Sequence, residues 1–222
     1  INVTMYQNVI MKLNNSLLKT SKSTIGNTIL KLSDWLVTDD TYVSSSNLSG
    51  ESIFLKNSKL VILNDKKLTV AEKSGNSMAI NLFTSELLMD EKSTLLIDKS
   101  QNLNTIKLMD SKLSADRSSI TINSSGGYNS DFLVEDASKF NLYNTTVKTS
   151  GKSSNSLSLS GEAILTGSSI IPQTAGNVGI SIFNGGKLTM KGVDTIISSI
   201  GSATNRYLIP VHDVGGSYVG GL

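Results

Sequence analysis

The sequence predicts an all-β fold, a right-handed parallel β-helix (β-solenoid) of about eight three-strand coils with terminal caps. Three observations lead to this prediction. The composition favours strands and turns over helices, one short phrase returns every couple of dozen residues, and each return is followed by three apolar pulses. Repetition at a nearly fixed period, with strands too short to bury a face alone, is the pattern of a solenoid whose units stack on each other.

The composition excludes several other classes of protein. Ser, Asn, Thr and Gly are abundant, Pro occurs only twice and Cys is absent, which is a bias towards turns and strands. The net charge of +2 comes from scattered residues, so we expect no nucleic-acid partner. No stretch approaches the roughly 18–20 apolar residues of a membrane helix, so we expect no membrane span.

The recurring phrase divides the chain into eight units. It consists of a small residue, an Asn and alternating apolar residues, as in GNSMAINL at 75–82 and GNVGISI at 176–182. The Asn, replaced by Glu51 in one unit, recurs at intervals of 19 to 28 residues. The series is Asn8, Asn27, Asn76, Asn104, Asn129, Asn155 and Asn177. Because Asn tolerates left-handed backbone and bonds to nearby backbone groups, we expect a structural turn ladder here, not a ligand site.

Each unit carries three apolar pulses that alternate with period two, as strands with one buried face do. In the phrase at 75–82 we expect Met78 and Ile80 to point into the core over Ile53 and Leu55. A β-sandwich is the main rival, but it has no reason to restart one phrase in register. The second pulse places these residues at equivalent positions: Trp35, Leu60, Leu87, Leu113, Phe140, Ala163 and Leu188.

A charged position precedes the second strand of most units. Its members are Asp34, Lys59, Glu86, Lys112, Lys139, Glu162 and Lys187. When the units are stacked, opposite signs mostly face each other, and only Lys112 and Lys139 are like neighbours. We therefore expect a solvent-exposed column that sets the register of the coils through cross-strand pairs.

The two ends of the chain depart from the repeat. Residues 1–7 precede the first marker and are predicted to cap the coils, which occupy residues 8–201. Residues 202–222 lack the Asn-marked restart and are rich in Gly. They are predicted to form a second cap, which a solenoid needs over its open edge, or a linker to a missing domain.

The sequence offers few groups for catalysis, so we expect no enzyme activity, no cofactor and no metal site. One His and no Cys do not make an ordinary zinc site, and nucleophile-elbow and phosphate-loop motifs are absent. Cleavage of a polysaccharide needs carboxylates that converge on one glycosidic bond. Asp131, Glu135 and Asp136 form an acidic group that would be a candidate for such chemistry or for Ca²⁺. Asp110 could join it from the unit before, and Asp90 and Glu91 from the unit before that.

Longer turns are the best candidates for ligand contacts, because the coils of a solenoid are structural while its turns are free to vary. The longest interval contains Asp98, Gln101 and Asn102, and the turn at 122–131 contains Tyr128 and Asp131. Together with Glu135 and Asp136, these residues are the predicted binding positions.

Four short segments carry a resemblance to a known group of proteins. They are NGGKLTMKG at 184–192, NSKLVILND at 57–65, DSKLSAD at 110–116 and ASKFNLYN at 137–144. They resemble the degenerate coils of bacterial surface-exported β-helix proteins, such as autotransporter passenger domains of the pertactin and AIDA type and filamentous-haemagglutinin-like adhesins. The resemblance covers roughly residues 8–200.

The resemblance implies a non-enzymatic adhesin, extracellular, at a bacterial cell surface or a fimbrial tip. Its implied partner is a host-cell surface glycan or an extracellular protein, and self-association or a homotrimer is compatible with it. The alternative is a carbohydrate-active β-helix, such as a phage tailspike or a polysaccharide lyase or hydrolase.

Overall fold

The computed structural model contains stacked coils of parallel strands, so the predicted class, an all-β parallel β-solenoid, is confirmed. Every strand pairing among the described residues is parallel. The structure describes residues 9–12, 17–20, 23–26, 28–45, 49–72, 76–99, 104–124, 130–150, 155–172, 178–192, 196–197 and 217–220. None of these residues lies in a helix long and apolar enough to cross a membrane.

The strands follow each other closely along the chain. They are β1 (Val9–Lys12), β2 (Leu17–Thr20), β3 (Ser23–Gly26), β4 (Thr28–Val37), β5 (Thr41–Ser45), β6 (Ser49–Ile62), β7 (Lys67–Glu72), β8 (Asn76–Phe83), β9 (Glu86–Met89), β10 (Thr94–Lys99), β11 (Ile106–Met109), β12 (Lys112–Asp116), β13 (Ser119–Ser124), β14 (Phe132–Val134), β15 (Lys139–Tyr143), β16 (Thr146–Ser150), β17 (Asn155–Leu159), β18 (Glu162–Thr166), β19 (Ser169–Pro172), β20 (Val178–Ile182), β21 (Lys187–Lys191), β22 (Ile196–Ile197) and β23 (Ser217–Gly220).

The coils have three faces. The first face runs β20-β17-β14-β11-β8-β6 and the second face runs β6-β9-β12-β15-β18-β21-β23. These two faces form one sheet because the long β6 pairs with both β8 and β9, and β4 continues the sheet beneath it. The third face is a separate sheet with the order β22-β19-β16-β13-β10-β7-β5-β3.

Six coils among the described residues are built from three separate strands, whereas eight such coils are predicted. They are the first coil, from β1 to β3, and five that follow each other from β8 to β22. In the two coils between them, β4 and β6 each serve the first and second faces as one continuous strand. Of the predicted C-terminal segment, the structure describes β23, which lies against β21. The predicted N-terminal cap at 1–7 lies outside the described residues.

The core of the first face is a stack of aliphatic side chains, but its register differs from the sequence prediction. Ile80 and Leu82, not Met78 and Ile80, pair with Ile53 and Leu55, and all four are fully buried. Met78 is only half-buried. The pairing differs by two residues from the prediction because the marker Asn76 pairs with Ser49, and the other marker position, Glu51, pairs with Met78.

The core of the second face has the predicted register. The stack of Trp35, Leu60, Leu87, Leu113, Phe140, Ala163 and Leu188 is formed by direct strand neighbours, and every member is buried. The small Ala163 lies next to the large Phe140, so their volumes compensate each other along the stack. Phe140 also meets Phe132 of the first face edge-on, with 5.0 Å between ring centroids and 62° between ring planes.

Residues with left-handed backbone lie at two corners of most of the described coils. Between the first and second faces they include Asn57, Thr84, Asp110, Ala137 and Asn184. At both corners, the φ angles of the left-handed residues other than Gly range from 43° at Arg117 to 61° at Ala137. Between the second and third faces they are Asp65, Lys92, Arg117, Asn144, Gly167 and Gly192. This conformation costs a residue other than Gly about 1–2 kcal/mol, so the surrounding coil must supply compensating bonds.

Buried hydroxyl groups supply those bonds at the first corner. The backbone N–H groups of Ser58, Ser85 and Ser111 each donate to the Oγ of the serine in the next coil, at 3.1, 3.0 and 3.2 Å. Each of these three hydroxyls also donates to the carbonyl two residues earlier in its own coil, at 2.6 to 2.8 Å. With Ser138 as the last acceptor, these residues form a continuous column, the serine ladder.

A second column of hydroxyls lies at the other corner. The N–H of Ser118 donates to Oγ1 of Thr145 at 3.3 Å, and the N–H of Thr145 donates to Oγ of Ser168 at 3.1 Å. The hydroxyl groups of Ser93 and Ser118 form a hydrogen bond, with 3.2 Å between their Oγ atoms. Both corners are thus linked from coil to coil by side chains as well as by the sheet.

Of the Asn markers, the structure describes Asn76, Asn104 and Asn155, and these three are not strand partners of one another. Asn76 pairs with Ser49, whereas Asn155 pairs with Val178. Oδ1 of Asn104 accepts a bond of 3.0 Å from the N–H of Ser130, one coil on, and Nδ2 of Asn155 donates to Ser158 at 3.0 Å. Both of these side chains therefore bond to serines. Asn8, Asn27, Asn129 and Asn177 lie outside the described residues.

Replacing a serine of the ladder should destabilise the fold. Ser111→Ala leaves the buried N–H of Ser85 without its acceptor, which is expected to lower the free energy of unfolding by about 2 kcal/mol. The matched control is Ser114→Ala, since Ser114 faces outward in the same coil and is half-buried. Urea denaturation, followed by circular dichroism, measures the free energy of unfolding of both variants. Equal losses in the two variants would show that the serine ladder contributes nothing to stability.

Candidate binding site

The charged column is present with the predicted register. Asp34, Lys59, Glu86, Lys112, Lys139, Glu162 and Lys187 are successive partners along the second face. Lys59 Nζ lies 3.9 Å from Glu86 Oε2, and Lys139 Nζ lies 3.8 Å from Glu162 Oε2. These pairs are half-exposed, so each contributes little to stability.

A groove of 610 Å³ runs beside this column, over the serine ladder. Its charged lining combines Asp34, Glu86 and Asp110 with Lys59, Lys112 and Lys139. Because the signs alternate, the groove favours neither an anionic nor a cationic ligand. We interpret it as the solvent-filled edge of a column whose role is register.

A second groove, of 590 Å³, lies on the opposite side of the second face, and we call it the Tyr143 groove. Its floor is a row of outward side chains on four successive strands: Leu88, Ser114, Asn141 and Ile164. Of these four side chains, that of Ser114 is the shortest.

The side of the Tyr143 groove is a second outward row, formed by Asp90, Asp116, Tyr143 and Thr166. The last three are direct neighbours on β12, β15 and β18, and Asp90 follows β9 at the equivalent level. Each coil thus presents two outward residues to the groove, separated by one inward residue of the core, as the pleat of a strand requires.

Tyr143 is the most prominent group of the groove. Half of its surface is exposed, although it is a large aromatic residue. Its backbone is held in place, because its carbonyl accepts bonds from the N–H of Arg117 at 2.8 Å and from Oγ1 of Thr145 at 2.9 Å. Next to it, Oδ1 of Asn141 is buried and accepts no hydrogen bond.

The charges near the groove are partly compensated. Arg117 donates hydrogen bonds from Nε and Nη2 to the carboxylate of Asp116, at 3.2 and 3.3 Å. Its Nη1 lies 3.3 Å from Oε1 of Glu91. The hydrogen bond with Asp116 and the charges of both carboxylates raise the pKa of Arg117, so its side chain stays charged. Among the described residues, the carboxylate of Asp90 forms no ion pair.

The three carboxylates of the acidic group predicted from the sequence have different surroundings. Asp131 is fully buried, Asp136 is exposed in the corner, and Glu135 Oε1 lies 2.8 Å from Lys107 Nζ. Asp131 and Glu135 flank the extended β14, which separates their backbones by about 13 Å.

The other predicted contacts lie elsewhere or cannot be placed in the groove. Asp98 is exposed near the end of β10 on the third face, between Ala71 and Asn123. Gln101, Asn102 and Tyr128 lie outside the described residues. Among the described residues, no group of three or more His, Cys, Asp or Glu side chains is placed to hold a metal ion.

Sequence reasoning missed the Tyr143 groove, although a signal for it exists. In ASKFNLYN the alternation that buries Phe140 and Leu142 directs Asn141 and Tyr143 outward. An aliphatic residue also occupies an outward position in two nearby strands, at Leu88 and Ile164. Aromatic and aliphatic side chains at outward positions of a strand are the pattern to look for.

The class of protein that these observations define is a parallel β-solenoid with a groove along its second face. No protein-family model, no curated protein and no solved structure matches the chain.

Proposed function

We propose that this chain is the ligand-binding solenoid of a bacterial cell-surface adhesin, which holds a glycan in the Tyr143 groove without cleaving it. The observation that carries the proposal is the half-exposed ring of Tyr143 beside the carboxylates of Asp90 and Asp116. Sugars present apolar C–H faces that pack on an aromatic ring and hydroxyls that bond to carboxylates and amides. A concave site with an aromatic surface and a few convergent polar groups is typical of small-ligand binding.

The solenoid supports binding because its groove is already formed. The floor and side residues lie on strands that pair with neighbours on both sides, and the serine ladder links the same coils at one corner. Little conformational entropy is then lost when a ligand binds. The resemblance of the coils to exported adhesins supports a location at the cell surface.

Two carboxylates of the groove support binding. Arg117 donates two hydrogen bonds to the carboxylate of Asp116, and Asp90 is exposed. Both carboxylates can accept hydrogen bonds from sugar hydroxyls.

Removing the aromatic ring should weaken glycan binding while the fold is kept. A glycan array first identifies bound glycans, and calorimetry then compares the variants. Tyr143→Ala is expected to lower the affinity at least tenfold, which corresponds to about 1.4 kcal/mol. The matched control is Tyr42→Ala, which removes a 37 % exposed tyrosine from the third face.

Two outcomes would contradict the proposal. Equal affinity for the wild type and Tyr143→Ala would exclude the groove as the glycan site. Release of reducing ends from a bound glycan, abolished by Asp90→Asn or Asp116→Asn, would establish the alternative, a carbohydrate-active solenoid.

A further inference from the structure

We infer that the Tyr143 groove binds a neutral, linear, β-linked glycan that lies along the solenoid axis with one sugar residue on each coil. This inference rests on the proposed function and specifies the class of glycan and its direction. It is carried by the repetition of the groove from coil to coil.

Four successive coils each contribute one floor residue and one side residue. The pairs are Leu88 with Asp90, Ser114 with Asp116, Asn141 with Tyr143, and Ile164 with Thr166. Since the pairs lie on neighbouring strands, the groove runs along the axis and not along a strand. The structure therefore contains four equivalent positions in a straight row.

The spacing of these positions matches a linear sugar chain. Parallel strands lie about 4.8 Å apart, so the row measures roughly 14 Å from the first position to the fourth. An extended β-linked chain of pyranose rings advances by nearly the same length for each sugar. A chain along the axis would then meet a new pair of side chains with every residue, without strain in either partner.

The charges of the groove favour a neutral chain. Its lining contains the carboxylates of Asp90 and Asp116 and contains no lysine or arginine. Arg117 compensates Asp116, whereas Asp90 lacks an ion pair among the described residues. A chain of uronic acids would bring carboxylates against Asp90, and the hydroxyls of a neutral sugar would donate to it.

The side chains differ among the four positions, so the positions should contribute unequally to the affinity for the glycan. Only the third one has an aromatic ring, on Tyr143, and an amide, on Asn141. This position should contribute most of the affinity, and the aliphatic Leu88 and Ile164 define the two ends of the row.

The test is a series of β-1,4-linked glucose and N-acetylglucosamine oligosaccharides of one to six residues, titrated by calorimetry. We expect the affinity of one of the two series to rise several-fold with each added residue up to four, and then to stay constant. The matched control is the α-1,4-linked glucose series, which has the same sugar and a curved chain, and should stay near the affinity of the monosaccharide. Hyaluronan oligosaccharides of equal length, which carry uronates, should bind more weakly.

A blocked groove gives an independent measurement. Ser114→Phe should fill the second position and reduce the affinity for the tetrasaccharide to that for the disaccharide, which still reaches the coils of Asn141 and Ile164. Its control is Thr121→Phe, an outward position of the same coil on the third face. Circular dichroism verifies that both variants fold.

The outcomes separate the inference from the proposed function. Equal affinity for monosaccharide and tetrasaccharide, or for the α- and β-linked chains, overturns the inference, and the groove would then recognise a terminal sugar. If neither β-linked series binds, the inference is also overturned, while a Tyr143-dependent glycan on the array would still support the proposed function. Absence of any Tyr143-dependent glycan overturns both.

Discussion

Phe132→Ala is expected to lower the free energy of unfolding by about 3–5 kcal/mol, more than the loss of one hydrogen bond from the serine ladder. Phe132 is fully buried between Ile106 and Leu157 of the neighbouring coils, and its ring meets Phe140 of the second face. Alanine removes the ring from the point where two faces pack together. The neighbours are held by sheet pairing on both sides, so they relax little and a cavity remains.

Urea denaturation, followed by the fluorescence of Trp35 and by circular dichroism, measures this loss. The matched control is Phe83→Ala, since Phe83 is 37 % exposed and its ring centroid lies 5.7 Å from Lys56 Nζ. An exposed cation–π pair contributes about 0.5–1 kcal/mol, so the control should lose no more than that. Similar losses for both variants would show that the packing of Phe132 against Phe140 is not a centre of stability.

The two signals that predicted the second face are both local in sequence. Period-two alternation directs Leu113 and Phe140 inward, and the charge before each strand marks where that strand begins. Since both signals occur within five residues, they survive changes in the length of the turns. The register of the charged column could therefore be read from the sequence, and the structure confirms it.

The first face shows what alternation cannot determine. Met78, Ile80 and Leu82 have the same parity, so any of them could lie over Ile53 without changing which face is buried. The Asn at the start of the phrase could not settle the choice, because the turns before it differ in length from unit to unit. Only the pairing of complete strands selects Ile80 as the partner of Ile53.

The Tyr143 groove could not be predicted because it is assembled from distant residues. Leu88 and Ile164 are far apart in the chain and reach one groove only through three successive strand pairings. Sequence reasoning assigned binding to the longer turns, as is common for solenoids. The described groove lies instead on a strand face.

The serine ladder could not be predicted from the sequence either, although its serines are adjacent to the charged column. In NSK, DSK and ASK the serine reads as an ordinary turn residue. Its role depends on the serine of the next coil, whose hydroxyl accepts its N–H. Contacts of this kind repeat along the axis and become apparent only when the coils are stacked.

The coils also approach each other closely at a glycine, where a side chain has no space. A Cβ on Gly186 would collide with the carbonyl oxygen of Leu159, come within 2.9 Å of its carbonyl carbon and lie 3.1 Å from the carbonyl oxygen of Phe183. That same Leu159 oxygen accepts the N–H of Phe183 at 3.0 Å. The φ angle of Gly186 is not left-handed, so the conformation of the backbone does not require glycine here. Glycine is required because a Cβ atom would have no space.

Gly186→Ala is accordingly expected to lower the free energy of unfolding by about 3 kcal/mol, since the obstacle is backbone that is held by a hydrogen bond. Gly192→Ala is the matched control: its φ is +84°, but the nearest atom to a Cβ there lies at 3.6 Å. Strain of the left-handed backbone alone should cost the control about 1–2 kcal/mol. Urea denaturation of both variants ranks the two effects. A larger loss at Gly192 would mean that conformation, and not the contact between coils, limits the corners of this solenoid.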